Sequence, residues 1–204
     1  MAITGDTGSG KTTLADVLLH FRGYTLALRS KADDAHLIGA KISRAAHFAS
    51  RPDVDRWLLD PPYEYQLEEF WNAFEKVWKQ GYWTIYLDEL FYLSKLRDAR
   101  NHKLNDQIEK MLTQGRSKKI TVVAGMQRPV QVTRFALSQA THIISFTGEN
   151  RDAKILKESV NEDFGNAVMQ LPRYSFAWYY RPKREIWIGN VQELLGITKS
   201  GGLT

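Results

Sequence analysis

Short apolar runs alternate with longer stretches of helical spacing along most of the chain. Ala2-Ile3 is a brief apolar run, and Leu14, Val17, Leu18 and Phe21 then share one side of residues 13–21, which predicts a helix. Residues 24–28 follow Gly23 and read as a second strand. Leu37, Ile38, Ile42, Ala45 and Ala46 recur at helical spacing, so a helix is expected over 35–49, before Pro52 and Pro61-Pro62 punctuate a loop. Leu67, Phe70, Trp71, Phe74, Val77 and Trp78 predict a helix over 65–80 that Gly81 ends. A strand is expected at 83–87 and a helix at 104–114, stopped by Gly115. Residues 120–124 are an unbroken apolar and β-branched run, typical of a central parallel strand. A helix at 130–140, a strand at 142–146 and a helix at 152–160 follow. Residues 175–180 and 185–188 flank Arg181-Pro182-Lys183-Arg184 and read as a terminal hairpin.

Strands that alternate with helices predict an α/β fold whose parallel sheet is covered by helices on both faces. Ligands of such sheets sit at the C-terminal edge of the strands. One domain is expected over 1–196, with a flexible tail at 197–204 that holds Gly201-Gly202.

At that edge, after the first apolar run, stands Gly5-Asp6-Thr7-Gly8-Ser9-Gly10-Lys11-Thr12. It satisfies every fixed position of the phosphate-binding pattern G-x-x-x-x-G-K-[ST], and Thr13 opens the helix behind it. Strand, glycine loop and helix together separate this motif from an ordinary glycine-rich turn. Gly5 to Thr13 are therefore the expected nucleotide-binding residues: backbone N–H groups curl around phosphate oxygens and the helix N-terminus adds its positive dipole end. Lys11 would reach the β- and γ-phosphates of ATP, and the Thr12 hydroxyl would bind Mg²⁺.

Two further strands end in polar residues. Thr84-Ile85-Tyr86-Leu87 runs into Asp88-Glu89. Apolar strands rarely end in paired acids by accident; Asp88 is placed to hold Mg²⁺ and Glu89 to act as general base toward a water. Kinases, which use the hydroxyl of their own substrate, have less need of that second acid. The strand 120–124 leads through Gly125-Met126 to Gln127-Arg128-Pro129. Gln127 could hydrogen-bond the γ-phosphate or the attacking water; taken alone, an exposed loop glutamine would be the plainer reading.

Composition narrows the picture. At 204 residues, 43% hydrophobic and 12% aromatic, the chain can bury a sizeable core. It has no cysteine, so disulfides, thiolate metal sites and cysteine nucleophiles are excluded. No apolar run approaches the ~20 residues of a membrane-spanning helix. The P-loop lies where a signal peptide would sit, which argues against secretion. A net charge of +5 permits a nucleic-acid partner but is weak evidence alone. His36, His47 and His142 lack metal-ligand spacing.

The P-loop, the strand ending in Asp88-Glu89 and the strand ending in Gln127-Arg128-Pro129 come in an order and spacing that resembles the FtsK/HerA-type pumping ATPases. Gly115-Arg116-Ser117-Lys118-Lys119 is similar to a Gly-Arg-Lys-type turn of that family, and Asn150-Arg151-Asp152 shares its look. The resemblance spans residues 3 to 160. Met126, where many relatives have threonine, and the very short first strand depart from the pattern. The resemblance implies a RecA-like (ASCE) P-loop NTPase with strand order 5-1-4-3-2 and Mg-ATP hydrolysis. It implies a homo-oligomeric ring, often pentameric or hexameric, around double-stranded DNA. Compact members are often viral or phage genome-packaging ATPases, so docking on a capsid or portal vertex is expected. The chain is expected to be a bare motor in the host cytoplasm or associated with the virion, without DNA-reading or membrane-anchoring domains.

Ring ATPases complete their site with an arginine from a neighbouring subunit, which stabilises charge on the transferring phosphate. The family turn makes Arg116 the first candidate, followed by Arg128 and Arg151. DNA contact is expected from basic loops: Lys95, Arg97, Arg100, His102 and Lys103, then Lys118-Lys119, and Arg181, Lys183 and Arg184. Any one of these is equally well a solvated face. Trp57, Trp71, Trp78, Phe91 and Tyr92 fit core or subunit interface better than base stacking. The expected function is ATP-driven packaging of double-stranded DNA. The alternatives are an ATP-switched assembly or secretion component that does not move DNA, and a small-molecule kinase.

Overall fold

The computed structural model of the protein describes residues 1–30, 37, 39–49, 53–98, 102–128 and 134–200. In chain order the elements are β1 (Ala2–Thr4), α1 (Lys11–His20), β2 (Thr25–Leu28), β3 (Ala40–Ile42), β4 (Arg56–Leu59), α2 (Gln66–Gln80), β5 (Thr84–Leu87), α3 (Leu90–Lys95) and α4 (Leu104–Gln114). They continue with β6 (Thr121–Met126), α5 (Arg134–Gln139), β7 (His142–Phe146), α6 (Asn150–Ser159), α7 (Glu162–Met169), β8 (Ser175–Tyr180), β9 (Glu185–Asn190) and α8 (Val191–Ser200).

The chain forms two compact units. One joins Met1–Val17 to the chain from Met126 onward, and the other is Leu18–Gly125. In the second unit the strands run β3-β4-β2-β5-β6 and every pair is parallel. Residues of β2 and β5 are buried along their whole length, as parallel strands with both faces covered should be. Of the stripe read from the sequence, α2 buries Phe70, Phe74 and Val77, with Ala73 beside them, while Leu67, Trp71 and Trp78 are half-buried. Glu68 and Glu69 in its first turn and Lys79 in its last suit the helix dipole.

In the first unit β1 pairs with β7 in parallel, and β7, β8 and β9 continue antiparallel. The C-terminal hairpin is present, and it extends the sheet from β7. α6 and α7 follow β7. Asn161 accepts a hydrogen bond from the Phe164 backbone N–H at 3.0 Å and so caps α7.

The α/β class and the mostly parallel sheet agree with the expectation. Within each unit the neighbours required by the order 5-1-4-3-2 are present: β2-β5-β6 in one, β1-β7 in the other. The order differs in detail through added strands, β4 and β3 beyond β2, and β8 and β9 beyond β7. The helix expected over 35–49 is corrected. Ala40–Ile42 is strand, Ala45–His47 is a short 3₁₀ turn, and 35, 36 and 38 lie outside the described residues. Side chains of α2 hold this segment out of a helix. Lys76 Nζ donates to the carbonyls of Ala45, Ala46 and Phe48, and Glu69 Oε2 accepts from the Ala45 N–H at 2.7 Å. The Gly39 backbone runs so close to β4 that a Cβ there would meet the Arg56 carbonyl oxygen at 3.2 Å. α8 extends to Ser200, into the stretch expected to be a tail, and 201–204 with Gly201-Gly202 lie outside the described residues.

Candidate functional site

β1 stops at Thr4 and α1 starts at Lys11, which leaves Gly5 to Gly10 as the loop between them. Gly5, Gly8 and Gly10 have φ of 147°, 75° and 105°, open to glycine and strained for other residues. Ser9 N–H donates to the Asp6 carbonyl at 3.2 Å, and Lys11 Nζ donates to the same oxygen at 2.6 Å, folding the lysine back over the loop. The loop is backed from inside. A Cβ on Gly10 would lie 3.5 Å from the Phe146 ring and 3.5 Å from Val191. Thr4 Oγ1 and Ser9 Oγ are buried without a hydrogen-bond partner among the described residues. Buried hydroxyls are normally paired, so Ser9 in this loop fits a phosphate oxygen as its partner. Glycine geometry, a helix N-terminus and an orphaned hydroxyl together suit nucleotide phosphates.

In the other unit β5 runs into Asp88 and Glu89, both buried, at 6% and 7% exposure. Asp88 Oδ1 accepts from the Tyr86 hydroxyl at 3.3 Å and Oδ2 from Ser30 Oγ at 3.4 Å. Glu89 sits at the N-cap position of α3, with extended backbone. Two buried carboxylates in sequence are costly unless cations or donors serve them, which fits a divalent ion at Asp88. β6 approaches closely. A Cβ on Gly125 would stand 2.5 Å from the Asp88 carbonyl oxygen and 3.1 Å from the Tyr86 hydroxyl. Tyr86 and Ser30 carried no sequence signal, because their role depends on where β5 and the end of β2 lie.

Gln127 and Arg128 follow β6 directly and are half-buried, while Pro129 lies outside the described residues. Arg128 forms a two-pronged pair with Glu149, Nη2 to Oε1 at 2.7 Å and Nη1 to Oε2 at 3.1 Å. That commitment counts against Arg128 as an arginine offered to a neighbour. Arg116, on the 3₁₀ turn Gly115–Lys118, and Arg151, in the first turn of α6, are exposed.

The basic clusters divide by their contacts. Arg181 donates to the carbonyls of Ala140 and Leu137 at 3.1 and 3.0 Å, so it closes the end of α5 rather than facing a phosphate. Lys118 lies over the Trp78 ring and Lys119 over Tyr82. Lys183 and Arg184 are exposed at the hairpin turn. Arg97 bridges to Lys103, and Arg100 lies outside the described residues. Trp57 is buried, its indole N–H bound to the Ala49 carbonyl.

No family model matches the chain. It is 29% identical over 177 residues to the DNA packaging ATPase P9 of Enterobacteria phage PRD1, a match covering 83% of this chain and 73% of P9. The chain is homologous to P9. The fold is that of the genome packaging NTPase B204 of Sulfolobus turreted icosahedral virus 2, solved with AMP: TM-score 0.72, 18% identity, 93% of this chain and 95% of B204. B204 of Sulfolobus turreted icosahedral virus, described as a DNA-packaging ATPase, matches at a TM-score of 0.67 and 22% identity, over 93% and 95% of the two chains. The resemblance to FtsK/HerA-type pumping ATPases, read from the P-loop, Asp88-Glu89 and Gln127-Arg128, holds.

Proposed function

We propose that this protein is the ATPase that drives double-stranded DNA into a viral capsid. The homology to P9 carries the reading, and the P-loop, built from three positive-φ glycines and an orphaned serine hydroxyl, supports it. B204 has also been solved with ATP-gammaS, which supports ATP as the substrate of this fold.

The roles follow from residue chemistry. Backbone N–H groups of the loop and Lys11 hold the triphosphate. Thr12 and Asp88 would hold Mg²⁺, which asks for few protein ligands because water and phosphate oxygens complete its shell. Bound there, Mg²⁺ would neutralise phosphate charge. Glu89 takes the proton of the attacking water. Gln127 reads the γ-phosphate, and an arginine from a neighbouring copy, Arg116 first, stabilises charge in the transition state. A homo-oligomeric ring and a capsid or portal partner complete the proposal. Among the described residues no helix is long and apolar enough to cross a membrane.

The test is steady-state ATP turnover with and without double-stranded DNA, at low and moderate salt, with Lys11→Ala as blank. DNA stimulation that fades with salt is expected of a motor gripping phosphates. Turnover indifferent to DNA at every salt would instead favour an assembly component that never moves DNA. Arg116 is tested by mixing: adding inactive Arg116→Ala protein to the parent should lower turnover more than dilution does, because each altered copy also disables its neighbour.

A further inference from the structure

Within the unit that holds the P-loop, the Arg128–Glu149 pair connects two segments that sequence leaves 21 residues apart. On one side are Gln127 and Arg128, leaving β6. On the other is Glu149, at the N-cap position of α6, its carbonyl accepting from the Ala153 N–H at 3.1 Å. Three residues before Glu149, Phe146 ends β7 and lies directly against Gly5 of the P-loop. Both guanidinium prongs meet both carboxylate oxygens, the geometry that fixes an arginine plane most firmly. An arginine held this way is oriented, and the residue before it is oriented with it.

We infer that Glu149 is a positioning residue for hydrolysis: it holds Arg128 in cis and ties the Gln127 loop to the strand that backs the P-loop. This rests on the reading of Gln127 as the γ-phosphate sensor. It makes Arg128 a brace within its own subunit and, of the three candidate arginines, leaves Arg116 and Arg151 to act across subunits. The two side chains are 41% and 55% exposed. A pair so exposed contributes little to stability, so its loss should leave the fold intact and act on the placement of the loop.

The test compares four proteins in the assembled state: parent, Arg128→Ala, Glu149→Gln, and the charge-swapped double variant Arg128→Glu/Glu149→Arg. ATP turnover is measured against ATP concentration with DNA present. Each single change is expected to lower kcat about three- to tenfold while KM for ATP stays within about twofold, and the swap to recover to within about twofold of the parent. Thermal midpoints close to the parent's would show that the fold is not the cause. A swap as slow as Arg128→Ala, or a neutral Glu149→Gln, overturns the inference and makes Arg128 a direct phosphate or DNA contact. Two controls separate this from the underlying reading. Turnover retained in Lys11→Ala would remove the ATPase assignment, and turnover retained in Gln127→Ala would remove the sensor role, while the partnership of 128 with 149 is still read from recovery in the swap.

Discussion

Gly5 and Phe146 touch so closely that a Cβ on Gly5 would stand 2.6 Å from the Phe146 Cβ, and 3.1 Å from Ser9 Oγ. The first residue of the P-loop is thus pressed onto the last residue of β7. Gly5→Ala would add a clash to a φ of 147° that L side chains rarely adopt. It is expected to cost about 2 kcal/mol or more of stability and to abolish nucleotide affinity, read by thermal unfolding and by calorimetric titration with ATP. Unchanged affinity would mean that the loop tolerates displacement of β7.

Glu89→Gln keeps the shape of the buried side chain and removes its basicity. The variant should bind ATP with affinity near the parent's and lose about a hundredfold or more in turnover. Single-turnover measurement with labelled ATP checks this. Full turnover would move the base role to another group.

Gly125→Ala examines the packing between β6 and β5. The added methyl would meet the Asp88 carbonyl oxygen at 2.5 Å. An overpacked site of this kind costs about 1–3 kcal/mol, and the displaced Asp88 should raise the Mg²⁺ concentration needed for half-maximal turnover. A magnesium titration of ATP turnover reads that shift, and denaturant unfolding reads the stability loss.

His142 should make the protein acid-sensitive. Its Nδ1 accepts from the Trp178 indole N–H at 3.2 Å, which requires a neutral ring, and the ring stacks on Tyr180 at 4.8 Å. Burial pushes its pKa below the ordinary 6.5. The unfolded chain therefore binds more protons than the folded one just below pH 6.5, so the stabilisation is complete above that pH and is lost as pH falls towards the folded-state pKa. Thermal midpoints from about pH 7.5 down to about pH 5 should fall less steeply for His142→Asn than for the parent. Parallel slopes would show that other groups carry the acid response.

The parts of the site that were legible in the sequence are those fixed by covalent spacing. A P-loop needs its glycines, lysine and threonine at set intervals, and β5 shows its end by the step from Leu87 to Asp88. The helix over α2 was legible because its apolar stripe faces a real core. The 35–49 segment misled because its apolar residues happen to fall at helical spacing. The groups that decide its conformation, Glu69 and Lys76, sit on α2, out of reach of any local pattern. The Arg128–Glu149 pair, the Tyr86 and Ser30 hydroxyls on Asp88, and the backing of the P-loop by Phe146 and Val191 are contacts between segments distant along the chain. Nothing in residue spacing records them.

Lys76 and Glu69 hydrogen-bond main-chain atoms of 45–48, and Lys76 Nζ also stands 4.5 Å over the Phe48 ring. A carbonyl is the same in every residue, so of this fastening only the contact with the Phe48 ring reads the sequence it fastens. Ala45 and Phe48 are buried, whereas Ala46 and His47 face outward. Over evolutionary time those two outward positions are free to drift while the segment keeps its path, and the constraint falls instead on Phe48 and on two charged residues of a helix elsewhere in the chain.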